Sequence, residues 1–277
     1  MHFDAFGCKE SRCFRQPIDA ISAMQHQKLA RIEPLLRSDM AHTRRGKKYD
    51  FLTEELRRTT GIVDTRNVSA NGYDNFGELL IEQHENGFVL DCGSGKRPTY
   101  YSNVINYEIV DYDTTDVIGV GEALPFRDST MDAVISVAVL EHVRDPFACA
   151  AEIVRVLKPG GRLLCCVPFL QPQHGYPHHY FNMAPQGLRS LFDRSLEIDD
   201  HRVIDSMTPI WSLTWFVRSW MAGLGGSARR QFEQLTMAEL LAAPMEQLLS
   251  KPWVTELPEA QRFELASCTL LFAHKPA

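Results

Sequence analysis

The chain has 277 residues, enough for one large domain with additions, and its 44% apolar and 23% charged residues are an ordinary soluble composition. A net charge of -6 gives no electrostatic reason to expect a polyanion, so nucleic acid is not an expected partner. Seven cysteines lie without a regular framework, which fits reduced thiols in a cytoplasm; no apolar run approaches about 20 residues and the amino terminus lacks a basic-then-apolar leader, so neither a membrane span nor export is expected.

Residues 1–86 read as a helical N-terminal cap, with helical spacing over 18–36, a basic connection at 41–48, a second helical stretch near 49–59, a turn-rich segment, and helical spacing again over 76–85. The domain proper spans 87–277. Its first strand, 88–90, stops at Asp91 and runs into Gly93-Ser94-Gly95, where bare backbone can meet a ligand because no Cβ intervenes. A second strand covers 104–109, and Arg97 with Pro98 leaves room only for a stunted helix between the two. Next come residues 116–126, holding a third strand and the turn Leu124-Pro125-Phe126, and a continuous apolar fourth strand at 131–136, as burial on both faces requires. The segment Leu140-Glu141-His142-Val143 follows, then Asp145-Pro146 opening a helix, the turn Lys158-Pro159-Gly160-Gly161, and a strand at 162–167. A histidine-rich loop holds His174, Tyr176, His178, His179 and Tyr180. After it come a helix at 184–192, strands at 195–203 and 263–274, and between them a helical insertion at about 205–262 carrying Trp211, Trp215 and Trp220.

In that order the motifs of residues 87–200 resemble the class I S-adenosylmethionine-dependent methyltransferases of small-molecule type. The resemblance implies an α/β fold, a Rossmann-like doubly wound, mostly parallel seven-stranded sheet with an antiparallel last strand, and S-adenosyl-L-methionine as cofactor. On that reading the amides of Gly93, Ser94 and Gly95 receive the methionyl carboxylate, an anion suited to such a turn, and Asp91 faces the ammonium. An acid on the second strand accepts the ribose hydroxyls, having two oxygens for two donors. Glu108 fits the family pattern, while Asp111 lies at about the 20-residue spacing of a dinucleotide fold.

The family often has aspartate where Val120 stands, so Gly121 and Glu122 are left to meet adenine. Small Ala138, at the end of the fourth strand, lets the sulfonium approach. His142 is either a general base, with an ordinary pKa near neutrality, or a shaper of the pocket floor. His174 is the second catalytic candidate. No metal is expected, because adjacent His178 and His179 seldom converge on one ion.

The function so implied is methyl transfer to oxygen or nitrogen of a small-molecule or carbohydrate acceptor. The alternative, drawn from Val120 and from Arg97 in place of a third glycine, is a methyltransferase-like module that binds without chemistry. The Trp-rich insertion is expected to be a lid or a subunit interface, in the latter case of a homodimer.

Overall fold

A computed structural model describes residues 18–61, 69–175 and 177–276. The start of the expected cap and Tyr176 lie outside the described residues. The chain divides into two compact units, one of residues 1–169 with 175–202, the other of 170–174 with 203–277.

The first unit begins with α1 (Ile18–Ile32), whose Lys28, Leu29 and Ile32 are buried at helical spacing. The basic connection then forms a small hairpin, β1 (Thr43–Arg45) and β2 (Lys48–Asp50), turning at Gly46 with φ +59°. After it come α2 (Glu54–Thr60), capped by Thr53, and α3 (Asn75–Gln83), capped by Asp74, whose side chain accepts the Gly77 amide at 2.8 Å. The core strands are β3 (Val89–Cys92), β4 (Val104–Glu108), β5 (Val117–Ile118) and β6 (Met131–Val137). Then α4 (Pro146–Val156) runs into β7 (Leu157–Cys166), and α5 (Pro185–Ser190) follows. Asp145 caps α4 and Pro146 takes its first turn, as the sequence expects.

The seven strands form one sheet in the order β1-β2-β5-β4-β3-β6-β7, antiparallel between β1 and β2 and parallel throughout the rest. Alternate residues serve opposite faces. Val89, Val104, Ala133 and Ile135 pack with Leu80 and Ile81 of α3, whereas Leu90, Ile105 and Val134 pack with Leu29 and Ile32 of α1 and with Ile153 of α4. This is the doubly wound, mostly parallel architecture expected of the sequence.

The origin of two strands differs from the sequence reading. The antiparallel strand is β1, not the last strand, and β2 joins the sheet through Tyr49 opposite Val117 and Asp50 opposite Ile118. Residues 195–203 form no strand, although Leu196 and Ile198 pack against the main core. Residues 263–274 form none either: Phe263 and Glu264 finish a helix, and Leu270, Leu271 and Phe272 stand exposed. Alternating apolar residues make a strand only where a neighbour's backbone accepts the ladder, and in this sheet β2 supplies that pairing for β5. Between Gly95 and Val104 the chain crosses in turns without a helix, the extreme of the stunting expected from Arg97-Pro98.

The second unit is helical: α6 (Pro209–Gly223), α7 (Gly226–Gln234), α8 (Met237–Ala242), α9 (Met245–Leu248), α10 (Pro252–Thr255) and α11 (Glu259–Glu264). Its core gathers Leu224, Ala228, Trp253 and Leu257. Trp220 stacks on Phe232 at 5.8 Å, and its indole N–H donates to the Trp253 carbonyl at 2.8 Å, so this member of the Trp-rich run is covered within its own unit. Trp211 stays 39% exposed. Among the described residues no helix is long and apolar enough to cross a membrane.

Candidate functional site

Where β3, β4, β5 and β6 end, a cleft of about 610 Å³ opens in the first unit. That is the place an open parallel sheet offers a ligand, and the size of a small-molecule site. Gly93, Ser94, Gly95, Glu108, Gly121, Glu122, Ala138 and His142 all line it; of the cofactor and catalytic candidates named from the sequence, Asp91, Asp111 and His174 do not.

The glycine turn has the conformation its composition demands. Gly93 has φ +82°, and a Cβ there would lie 2.4 Å from Val139; Gly95 has φ +60°, and a Cβ would lie 2.6 Å from the Ser69 carbonyl oxygen. The backbone amides, however, are not open to an anion as the sequence reading expects. Gly93 and Ser94 donate to the Tyr107 carbonyl at 2.9 and 3.1 Å, and Gly95 donates to Glu108 Oε2 at 2.7 Å. Lys96 donates to the Ser69 carbonyl at 2.7 Å and Arg97 to Thr114 Oγ1 at 3.2 Å. Five consecutive amides are satisfied within the protein, because the short crossing to β4 folds the turn back on its neighbours.

Asp91 is wholly buried at the end of β3 and does not line the cleft. The Arg97 guanidinium grips it through Nε at 2.7 Å and Nη2 at 3.0 Å, and the Tyr73 hydroxyl donates to it at 2.5 Å. Arg97 also lies over the Tyr73 ring at 4.1 Å and donates to the Asn71 carbonyl at 2.9 Å. A carboxylate that does reach this wall is Asp74, half-buried at the start of α3. Sequence reasoning missed Asp74 as a site residue, although an acid three residues before Gly77 and an apolar run is a helix-start signal.

Glu108 ends β4 and is buried. Its Oε2 takes the Gly95 amide, and its Oε1 takes the amides of Ile109 at 2.9 Å and Val110 at 3.2 Å. Desolvation raises its pKa above the ordinary carboxylate value, and the three amides pull the other way. Its rival Asp111 is exposed, pairs with Lys48 at 2.5 Å and does not line the cleft. On the opposite side the backbone of Gly119, Val120 and Gly121 lines the wall, with the Tyr107 hydroxyl donating to the Val120 carbonyl at 2.7 Å. Glu122 turns toward the start of α4, where its Oε1 accepts the Arg144 amide at 3.1 Å.

Ala138 follows β6 with φ +56°, a left-handed conformation costly for a residue with a Cβ. Its amide donates to the Cys166 carbonyl at 2.9 Å. Beyond it, His142 Nδ1 lies 2.8 Å from the His178 carbonyl oxygen. A carbonyl only accepts, so Nδ1 carries the proton and Nε2 the lone pair. Burial lowers the His142 pKa, which leaves the ring neutral at pH 7. Its Nε2 lies 3.7 Å from Oε1 of Glu141, a fully buried carboxyl whose pKa burial pushes up to about 8. His178 lines the cleft, and His179 Nε2 lies 2.9 Å from Asn182 Oδ1. His174 belongs to the second unit, where its Nδ1 donates to the Pro172 carbonyl at 2.9 Å and its ring lies 5.1 Å from that of Trp215.

A cleft at the strand ends of a parallel sheet, with a glycine turn on the first core strand and an acid on the second, is the arrangement in which open α/β sheets bind nucleotide-type ligands. Residues 91–165 match the methyltransferase domain family. An uncharacterized methyltransferase of Schizosaccharomyces pombe is 44% identical over 57 residues, which are 21% of this chain and 20% of that one. The ubiquinone/menaquinone biosynthesis C-methyltransferase UbiE of Shewanella halifaxensis is 47% identical over 70 residues, 24% of this chain and 28% of that one. A solved structure of Haemonchus contortus phosphoethanolamine N-methyltransferase 2 with S-adenosyl-L-methionine aligns at 15% identity and a TM-score of 0.37 over 66% of this chain and 48% of that one. The chain thus spans under a third of the length of the two curated relatives. Over residues 91–165 it is similar to methyltransferase domains.

Proposed function

We propose that the protein is an S-adenosylmethionine-dependent methyltransferase acting on an oxygen or nitrogen of a small-molecule or carbohydrate acceptor. S-adenosylmethionine supplies a methyl already activated by its positive sulfur, so the protein's task is to hold donor and acceptor in line, an arrangement worth up to about 7–11 kcal/mol. The cleft suits that cofactor in size, in the bare backbone of its glycine turn and in its buried acid. Glu108 holds the ribose with the accepting capacity left over from three amides. The backbone of residues 119–121 borders the adenine, and Ala138 leaves room for the methyl.

The observation that carries the choice of an oxygen or nitrogen acceptor is the 2.8 Å contact of His142 Nδ1 with the His178 carbonyl, from which the ring's tautomer follows. Its Nδ1–H is spent on the His178 carbonyl, so Nε2, beside the Glu141 carboxyl at 3.7 Å, is the ring nitrogen that would take a proton from a hydroxyl or amine. Such a base contributes about 10²–10⁴ in rate. The test uses tritiated methyl donor with panels of phenolic, amine and sugar acceptors. Transfer to one class, lost at least a hundredfold in His142→Gln while S-adenosylhomocysteine still binds, is the expected result. Transfer undiminished in His142→Gln contradicts the role given to this ring.

A second reading, a module that binds without chemistry, draws on the satisfied turn amides and on Val120, which has no carboxylate for adenine. Failure of the protein to bind S-adenosylhomocysteine in a thermal-shift assay favours it.

A further inference from the structure

We propose that Arg97 is a cofactor-specificity residue, its guanidinium being the cation that receives the carboxylate of the methionyl end of S-adenosylmethionine. This deepens the methyltransferase reading and rests on it. The amino-acid end of that cofactor carries an anion, and an anion drawn out of water needs a charged or multiply donating partner. The usual donors of a glycine turn are backbone amides, yet here every amide from Gly93 to Arg97 is spent within the protein. The same wall of the cleft holds a cation instead. Arg97 lines it next to Gly93 and Gly95 and is only 8% exposed.

Its geometry is fixed from several sides. Nε and Nη2 reach the two oxygens of Asp91, Nη1 reaches the Asn71 carbonyl, and the Tyr73 ring lies against the guanidinium plane. Those bonds use three of the five donors a guanidinium offers. Asp91 stays paired with the guanidinium, one N–H each on Nη1 and Nη2 is left for a carboxylate, and rigid placement keeps the fork from having to reorganise when it arrives. Among the described residues the other arginine on the cleft wall, Arg144, is exposed and lies beside Glu122, whose Oε1 accepts its amide. The ammonium of the same zwitterion has Asp74, which lines the same cleft. A side chain at this position therefore takes over the task that the turn's backbone has given up.

The test compares two ligands that differ at that end. S-adenosylhomocysteine carries the amino-acid group, and 5′-methylthioadenosine has the same nucleoside and thioether without it. Both are titrated calorimetrically into the full chain and into Arg97→Met, Arg97→Gln and Arg97→Lys. The expected result is a loss of at least tenfold in affinity for S-adenosylhomocysteine in the neutral variants, with 5′-methylthioadenosine within threefold of the wild type and Arg97→Lys in between. Retained binding of 5′-methylthioadenosine also reports that a variant is folded, and Arg97→Gln carries the comparison where Arg97→Met does not fold. Equal loss of both ligands, or no loss of either, overturns the proposal and reduces Arg97 to a prop for the loop. A wild-type chain that binds neither ligand instead removes the methyltransferase reading itself.

Discussion

Arg97 and Asp91 stand six positions apart and form a two-pronged ion pair at 2.7 and 3.0 Å with both side chains buried. Truncating one member leaves the other charge buried without its partner, which costs about 3–5 kcal/mol, whereas replacing both by apolar groups of similar volume costs far less. Arg97→Met is therefore expected to lower stability by about that amount. The double variant Asp91→Leu with Arg97→Met is expected to be more stable than Arg97→Met alone. Urea denaturation midpoints at constant slope check both statements.

The buried Glu141 carboxyl gives a pH dependence of defined sign. Its folded pKa is raised to about 8 from the ordinary 4.5, with desolvation as the cause. The folded protein then binds more protons than the unfolded chain between pH 4.5 and 8, so this group's contribution is fully present below 4.5 and is lost as pH rises through 8. Stability is expected to fall across that window by up to about 1.4 kcal/mol per pH unit from this group. In Glu141→Gln that part of the slope is expected to vanish, which denaturant titrations at pH 5, 6, 7 and 8 read directly.

Lys28 works in the opposite sense. Its ammonium donates to the Val104 carbonyl at 2.5 Å and to Asp116 at 2.8 Å, and the Tyr100 hydroxyl donates to the other Asp116 oxygen. Burial lowers its pKa to about 8, with Asp116 offsetting part of the cost. The unfolded chain binds more protons between pH 8 and 10.5, so this contribution is present above 10.5 and lost as pH falls through 8. From pH 8 to 9.5, below ordinary tyrosine ionisation, Lys28→Met is expected to lose the upward slope that the wild type shows. Identical slopes in the two proteins contradict the assignment.

Gly93→Ala tests the turn on its own. At φ +82° with Val139 2.4 Å from the new carbon, the substitution is expected to cost at least about 1–2 kcal/mol for the left-handed backbone alone. The displaced Val139 narrows the cleft, so S-adenosylhomocysteine affinity is expected to fall along with the melting temperature. A stable variant with wild-type affinity goes against the close approach described for this turn.

Much of the framework around the cleft was legible in the chain because its signals are local. Asp91 to Gly95, Glu108 and the Asp145-Pro146 helix start each announce a strand end or a cap within a few residues. What was illegible depends on pairing across distance. The hairpin at 43–50 hid behind its charges, since three-residue strands barely show a period of two and the burial of Tyr49 and Phe51 comes from β5 and the core. Residues 263–274 have the composition of a strand but in the structure make no ladder. Arg97 read only as a missing glycine; its grip on Asp91 needs the turn to fold back, and no spacing rule contains that.

The central claim is that Glu108 and the glycine turn form a slot for an adenosyl group, and calorimetric titration of S-adenosylhomocysteine into the wild type and Glu108→Ala tests it most directly. Stoichiometric binding by the wild type, weakened in the variant by about 1.5–3 kcal/mol, the range for a hydrogen bond to a charged group, is the result the account requires. Absence of binding to the wild type, or equal affinity in the two proteins, contradicts it.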